Sequence, residues 1–254
     1  DGLRSNVIAG KGVYKSIDGG QSWTPIGLEK TGHIGAVEID PRNHNTVWVA
    51  AIGNAFGANE ERGVYKTTDG GRSWNKVLYR SDSVGFTDVE LLPSNPDIVF
   101  ASAWEARRTP WTIRSGGSAD DGGIWKSVDG GATWTKITKG LPQDLIGKVD
   151  LAVSPADSRI VYALVEAPGE QGGLYKSVDQ GESFTQVSSH KGLRNRPFYY
   201  TNVDVDPTDP DTVYVMATRY WKSTDGGETW SRLTPPHADS HDRWIDPGNP
   251  DLFI

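Results

Sequence analysis

One eight-residue pattern returns five times along the chain and limits the folds open to it. Each copy reads Ser or Thr, any residue, Asp, Gly or Gln, Gly, any residue, Ser or Thr, and then Trp or Phe. Successive copies are 51, 60, 50 and 46 residues apart, measured from Asp to Asp. A repeat of about 50 residues is typical of a four-stranded propeller blade. The five octets contain Asp18, Asp69, Asp129, Asp179 and Asp225.

Each octet is predicted to form the turn of a β-hairpin. Alternating runs flank it, as residues 12–15 do before the first copy and residues 135–137 do after the third. The Asp carboxylate can accept hydrogen bonds from turn amides, and Gly supplies the positive φ that a tight hairpin requires. The aromatic residue then covers the hairpin. We therefore interpret the five octet aspartates as structural residues rather than as members of a functional site.

A second kind of turn alternates with the octets. It is rich in Asp, Asn and Pro, as in Asp40-Pro41 and Asp206-Pro207, and it lies between two apolar runs. Those two runs are predicted to be strands A and B of each blade, and the octet hairpin supplies strands C and D.

The order of these units predicts the architecture. The chain begins with a C–D pair, continues through four A–B–C–D sets and ends with an A–B pair, which gives twenty strands. If the last pair completes the blade that the first pair begins, residues 1–254 form a single all-β domain, a five-bladed propeller without exposed sheet edges. The alternative is a piece of a larger propeller, because Ile254 falls within what should be a B strand.

Composition excludes several classes of function. The net charge is −7, so nonspecific binding to nucleic acid or to an anionic membrane is disfavoured. The chain has no Cys, which excludes thiolate catalysis and cysteine-ligated metal, and no apolar run is long enough to span a bilayer. No glycine loop of the phosphate-binding kind opens a helix. We expect no cofactor, no bound metal, no nucleic-acid partner and no membrane insertion.

The octet resembles the Asp-box, or bacterial neuraminidase repeat, of sialidases, xyloglucanases and sortilin-type propellers. Residues 108–117 and 235–247 resemble, more narrowly, bacterial sortilin-like repeat proteins that are often labelled glycosyl hydrolases. The resemblance spans the whole chain and implies a β-propeller, and such proteins are commonly exported, so we expect a secreted or periplasmic location. The narrower relatives are usually longer, which implies membership of a longer polypeptide or a larger assembly.

The same resemblance sets limits on activity. A sialidase of this group would carry a Phe/Tyr-Arg-Ile-Pro motif, which is not present here. A xyloglucanase of this group would use two propellers facing each other, with one catalytic Asp on each, and this chain holds at most one propeller. The fold is therefore better indicated than the activity.

Binding residues are expected on one face of the propeller. Both repeated turns lie on the same face, so the irregular B-to-C and D-to-A connections gather on the other, where loops commonly carry binding sites. The longest connections run from Ala103 to Asp121 and from Ser189 to Tyr200. Trp104 and Trp111 could stack on a sugar or pack as a lid over a neighbouring blade. The ligand-binding candidates are Trp104, Arg108, Trp111, Arg114, Arg194, Arg196, Tyr199, Tyr200, His237 and His241.

Aligned A strands place one position of each blade in a common register around the central channel. These positions are Ala36, Asp88, Asp150, Asn202 and Asp242. Their side chains could bind a cation, a polyol or water, or they could instead satisfy backbone amides of the next blade.

Two functions follow from these residues. The first is a noncatalytic propeller that binds a glycan, a peptide or a protein on its irregular face. The second is a glycoside hydrolase, which would need two carboxylates at a defined separation. The candidate catalytic carboxylates are Asp88, Asp150, Asp239, Asp242 and Glu105.

Overall fold

The computed structural model describes residues 3, 7–118, 121–235, 240–249 and 252. Apart from two short 3-10 helices, Gly169–Gln171 and Lys191–Arg194, the regular structure of these residues is β-strand, which confirms the all-β prediction. No helix in this part of the chain is long and apolar enough to cross a membrane.

The chain opens with a two-stranded antiparallel hairpin, which we call the first hairpin. It consists of β1 (Tyr14–Lys15) and β2 (Thr24–Pro25). The first octet forms its turn. Two four-stranded antiparallel blades follow, each with its strands in the order A–B–C–D. Blade I consists of β3 (Ile34–Ile39), β4 (Val47–Ala51), β5 (Gly63–Thr67) and β6 (Asn75–Leu78).

Blade II carries the longest insertion. The sequence predicted an irregular loop from Ala103 to Asp121, but residues 103–108 continue strand B, and Ile113–Ser115 pairs back onto it. Alternate side chains of this extension, Trp104 and Ala106, are buried, so the strand continues as a half-buried ladder. Blade II consists of β7 (Val84–Leu91), β8 (Val99–Arg108), β11 (Gly123–Ser127) and β12 (Thr135–Ile137), with the additional strand β9 (Ile113–Ser115) paired to β8. Between β9 and β11 lies a short strand, β10 (Gly117–Ser118), which belongs to a separate two-stranded sheet.

Two further four-stranded blades complete the regular structure. A short strand, β13 (Leu145–Ile146), pairs with β10 between them and blade II. Blade III consists of β14 (Val149–Val153), β15 (Val161–Val165), β16 (Gly173–Ser177) and β17 (Thr185–Ser188). Blade IV consists of β18 (Asn202–Val205), β19 (Val213–Met216), β20 (Tyr220–Ser223) and β21 (Ser231–Leu233).

Neighbouring blades pack face to face through apolar side chains. Strand B is buried on both faces in blades I and III, because each lies in the middle of its sheet and between two neighbours, which are the first hairpin and blade II for blade I, and blades II and IV for blade III. The second octet glycine allows the close approach: a Cβ on Gly131 would lie 2.5 Å from the Trp48 ring of the preceding blade, and a Cβ on Gly181 would lie 2.5 Å from Phe100. Gly at this position therefore serves blade packing as well as turn geometry.

Every octet has the same hydrogen-bond network. In the third copy, Asp129 accepts from the Thr133 amide at 2.8 Å, from the Thr133 hydroxyl at 2.6 Å and from the Ser127 hydroxyl at 2.8 Å. Hydrogen bonding to the ionised form lowers the pKa of Asp129 to about 2. Because the arrangement recurs in all five copies, its role is to close the turn.

The two kinds of turn meet on one face of each blade. The Gly70 amide of the second octet donates to the Asn45 carbonyl of the A–B turn at 2.9 Å, and Gly130 donates in the same way to Asp97. The remaining connections therefore lie on the opposite face, as predicted.

The end of the described chain forms a fifth A–B turn. The Asp246 amide donates to the Leu252 carbonyl at 3.0 Å, as the Asp40 amide does to Thr46 in blade I. The predicted five-bladed closure rests on residues 250, 251, 253 and 254, which lie outside the described part, so it stays a prediction. Four complete blades and the first hairpin are described.

Candidate functional site

The innermost strands of the blades surround a central cavity of about 350 Å³. Strands β3, β7, β14 and β18 supply its walls, and His241 and Asp242 lie at its rim. All five positions of the predicted register line it, namely Ala36, Asp88, Asp150, Asn202 and Asp242. The A strands are thus the elements that carry side chains into the channel.

Two of these carboxylates join neighbouring blades. Asp88 accepts from its neighbouring Val89 amide at 2.9 Å and from the Leu151 amide of blade III at 2.8 Å. Asp150 accepts from the Val203 amide of blade IV at 2.8 Å. The sequence left open whether these side chains bind a ligand or satisfy amides of the next blade, and the hydrogen bonds of Asp88 and Asp150 correspond to the second alternative.

A second layer of carboxylates lies two residues further along the A strands. Glu90 and Asp204 also line the cavity, and the Oδ2 atom of Asp204 is buried without a hydrogen-bond partner among the described residues. Burial, reinforced by the nearby charges of Asp150 and Asp242, raises the pKa of Asp204 to about 7. Burial, followed by the charge of Asp150, raises the pKa of Asp88 to about 8.

Lys148 brings a positive charge to this acidic wall. Its ammonium group donates to the Tyr200 carbonyl at 3.2 Å and to the Thr201 carbonyl at 3.3 Å, and lies 3.7 Å from an Asp150 oxygen. It therefore offsets part of the negative charge and connects the inner wall of blade III to the loop that enters blade IV.

Aromatic side chains cluster at one side of the cavity, which Tyr199 and His241 line. The Tyr200 and His241 rings stack with centroids 4.9 Å apart, and the Tyr199 ring meets His241 edge-on at 4.5 Å. The guanidinium of Arg196 lies 5.6 Å from the Tyr199 centroid. Arg196 itself has a positive φ of 58°. We call this cluster of residues 196, 199, 200 and 241 the aromatic rim.

Other predicted binding residues lie apart from the rim. Trp104 is buried, lines the cavity wall and donates from its indole nitrogen to Ser115 at 2.9 Å. Trp111 is 93% exposed at the tip of the β8–β9 hairpin, so it does not act as a lid over a neighbouring blade. Trp104 and Trp111 therefore lie in different environments, one buried and one exposed, although the sequence predicted the same two alternative roles for both.

The basic candidates mostly bind the protein itself. Arg114 pairs with Glu105 at 2.8 Å, and Arg194 donates to the Gly169 carbonyl at 2.6 Å. The Arg108 guanidinium lies 5.7 Å from the Phe198 ring. These contacts hold loops in place, whereas Arg196 is the basic candidate that belongs to the aromatic rim.

His237 and Asp239 lie outside the described residues, so their predicted roles stay predictions. Within the ranges that are described, no group of three His, Asp or Glu side chains is arranged to hold a metal ion.

Sequence reasoning missed Lys148, Glu90 and Asp204 as cavity residues. Glu90 and Asp204 carry the signal that located Asp88 and Asn202, since residues two apart in a strand point to the same side. Lys148 precedes its strand, and no repeat pattern marks it.

The family model described as "Sortilin, neurotensin receptor 3" matches residues 122–244. A xyloglucanase from a Paenibacillus species is 24% identical, over 87% of this chain and 23% of that protein. The predicted resemblance to sortilin-like and glycosyl-hydrolase-labelled repeat propellers is therefore confirmed.

Solved structures agree on the fold. An ancestral GH74 enzyme superposes with a TM-score of 0.67 at 18% identity, over 94% of this chain and 31% of that chain. A structure of YCF48 bound to D1 peptide superposes with a TM-score of 0.56 at 16% identity, over 94% of this chain and 67% of that chain. The fold is a β-propeller of four-stranded antiparallel blades. The chain spans less than a third of the length of the curated relatives it matches.

Proposed function

We propose that this propeller binds a carbohydrate, without cleaving it, at the mouth of its central cavity. The observation that carries the proposal is the aromatic rim, with Tyr199 and His241 at the edge of a cavity whose wall is polar. Sugars are bound by this combination, because the C–H faces of a sugar ring pack on aromatic rings and its hydroxyls need hydrogen-bond partners.

The polar partners lie within the same cavity. Asn202 and Asp242 offer amide and carboxylate groups, and Asp242 is exposed to an entering ligand. The cavity volume of about 350 Å³ is at the lower end of ligand sites, which suits one or two sugar units entering from the face.

Hydrolysis is disfavoured by the bonds that the inner carboxylates already make. A glycosidase needs one carboxyl group as acid and a second as nucleophile or base, both reaching the bond to be cleaved. Asp88 and Asp150 accept backbone amides of the next blade, and Glu105 pairs with Arg114. These bonds commit the side chains to the scaffold and support binding over turnover.

A glycoside hydrolase is the second candidate. It is favoured by the raised pKa of Asp88, about 8, since a carboxyl group that stays protonated near neutral pH can act as a general acid. Similarity to a xyloglucanase also supports it.

Calorimetric titration with xyloglucan oligosaccharides, backed by a glycan array, tests the proposal. Tyr199→Ala and His241→Ala should each weaken binding roughly threefold to tenfold, because each removes an aromatic surface. Tyr79→Ala is the matched control, since Tyr79 is 41% exposed and does not line the cavity. Equal affinity in all three variants would contradict a site at the rim.

Release of reducing sugar from the same glycans separates the two candidates. The proposal expects no release. Turnover that Asp88→Asn or Asp242→Asn abolishes would establish the hydrolase instead.

Three further proposals concern the alternative ligand, the location of the protein and the length of the whole polypeptide. A peptide or protein ligand is the alternative occupant, supported by the peptide-bound YCF48 neighbour. We also propose a secreted or periplasmic location, which similarity to a xyloglucanase supports. Membership of a longer polypeptide or larger assembly is supported by the small share of each relative that the chain spans.

A further inference from the structure

A small pocket lies between blades I and II on the irregular face, and it shares no lining residue with the central cavity. Its volume is about 90 Å³, below the roughly 300 Å³ at which sites for whole ligands begin. Blade I contributes Gly57 and Ala58, Ser83 comes from the connection that enters blade II, and the β8–β9 hairpin supplies further lining residues. The pocket therefore has room for one small chemical group and not for a sugar ring.

Three guanidinium groups and one carboxylate line this pocket. They belong to Arg62, Arg107, Arg114 and Glu105. Three positive charges thus lie beside one negative charge, in a protein whose net charge is −7. A local excess of positive charge inside a concave site attracts anions, because the walls of the site concentrate the electric field.

Arg62 is the buried member of this group, with 1% of its surface exposed. Its terminal nitrogens donate to backbone carbonyls that include those of Gly57 at 3.2 Å and Ala106 at 3.3 Å, and both of these residues line the pocket. The bonds place the guanidinium beside the pocket. Its Nε–H group is buried and has no hydrogen-bond partner in the described part of the chain. One donor of a buried cation is therefore left without an acceptor, which is unfavourable.

The charge of Arg62 responds to the negative groups around it. Burial lowers the pKa of Arg62, and the nearby carboxylates of Asp82 and Glu105 act in the opposite direction. An anion in the pocket would add to the effect of these two carboxylates. It would therefore stabilise the charged form of the buried guanidinium.

The β8–β9 hairpin holds its two pocket arginines directly opposite each other. Arg107 of β8 is the cross-strand partner of Arg114 of β9, and both residues are exposed. Like charges at directly opposed strand positions destabilise the pairing. Glu105 compensates one of them, since it pairs with Arg114 at 2.8 Å. Arg107 makes no side-chain hydrogen bond or ion pair with the residues that the structure describes, so its charge is not compensated.

We propose that this pocket binds one oxyanion group, the carboxylate or sulfate of an acidic ligand. The planar fork of a guanidinium matches such a group and binds it through two parallel hydrogen bonds. Arg107 and the remaining donors of Arg114 would hold the anion, and the buried charge of Arg62 would add to the attraction. The inference does not depend on the glycan site, because no residue of the aromatic rim lines this pocket.

Two-dimensional NMR of the nitrogen-15-labelled full chain tests the proposal by titration with sodium sulfate, sodium glucuronate and glucose at constant ionic strength. The backbone amides of Gly57, Ala58 and Ser83 and the arginine Nε–H signals report on the pocket. We expect saturable shifts of these signals with the anions and none with glucose, since glucose carries no oxyanion group. Saturation by either anion supports the site, and the tighter of the two shows whether the source is a free inorganic anion or a sugar acid.

Variants that change the charge of the pocket locate the binding. Arg107→Gln and Arg114→Gln should each weaken anion binding roughly threefold to tenfold, because each removes one guanidinium. Glu105→Gln should tighten binding by a similar factor, because it removes the carboxylate that competes for Arg114. Arg72→Gln is the matched control, since Arg72 is exposed in the second octet and does not line the pocket.

Several results would overturn the proposal. Neither anion producing saturable shifts, or glucose shifting the same signals as strongly, would exclude recognition of an oxyanion. Equal affinity of Arg107→Gln, Arg114→Gln and Arg72→Gln would place the binding elsewhere on the protein. Weaker binding by Glu105→Gln would contradict competition between that carboxylate and the anion. None of these results bears on the glycan site, which is tested by its own variants at the aromatic rim.

Discussion

Single positions of the octet show how residue type follows backbone geometry. The first octet glycine has a φ of 67° to 73° in four copies, and Gln180 has a φ of 61° at the same place in the fourth octet. The left-handed region favours Gly because a Cβ there crowds the following carbonyl oxygen. The sequence predicted this turn correctly even where Gln replaces Gly, since the rest of the octet remained.

Gln180→Gly should stabilise the protein by about 0.5 to 1 kcal/mol. The gain is the relief of left-handed strain less the extra chain entropy of Gly in the unfolded state. The Gln180 amide and carbonyl, which bond to Arg159 and Lys126, are unchanged by the substitution. Urea unfolding measures the effect, and the reciprocal change, Gly130→Gln, should destabilise by a similar amount.

At the scale of elements, the A strands both enclose the cavity and join the blades. Aligning the A strands of successive repeats was sufficient to predict the five positions that line the cavity. The β8–β9 hairpin escaped prediction because Thr109, Pro110 and Thr112 at its tip resemble a loop, while its pairing depends on tertiary contacts. Lys148 escaped because its partners are carbonyls of a distant loop, which no local pattern indicates.

Asp88→Ala should destabilise the protein by about 1 to 3 kcal/mol. The substitution leaves the buried amides of Val89 and Leu151 without their acceptor, and an unsatisfied buried donor costs about that much. Asp242→Ala is the control and should change stability by less than about 0.5 kcal/mol, because Asp242 is exposed. Equal effects in denaturant unfolding would argue against a joining role for Asp88.

For the whole molecule, the distribution of carboxylates sets the response to pH. Burial raises the pKa of Asp88 and Asp204 to about 8 and about 7, so the folded state holds protons that the unfolded chain releases above about pH 4. Stability from these groups is present below about pH 4 and is lost as pH rises toward about 8. The octet aspartates act oppositely, since their lowered pKa values make stability fall as pH drops below about 4.

Thermal unfolding should therefore show a maximum near about pH 4 to 5 and a decline toward about pH 8. Asp204→Asn should flatten that decline, because Asn carries no proton to release. Asp209→Asn, on an exposed turn, serves as the control and should leave the slope unchanged. A rise in melting temperature from about pH 5 to about pH 8 in the unmodified protein would contradict the assigned pKa shifts.

The whole molecule thus combines a repeated scaffold with a proposed binding face, which is built from residues outside the repeat. The most direct test is calorimetric titration of the unmodified chain and of Tyr199→Ala with xyloglucan oligosaccharides, alongside a reducing-sugar assay on the same mixtures. We predict saturable binding that Tyr199→Ala weakens, with no sugar released. Binding that is indifferent to Tyr199, or release of reducing ends, would contradict a noncatalytic glycan site at the aromatic rim.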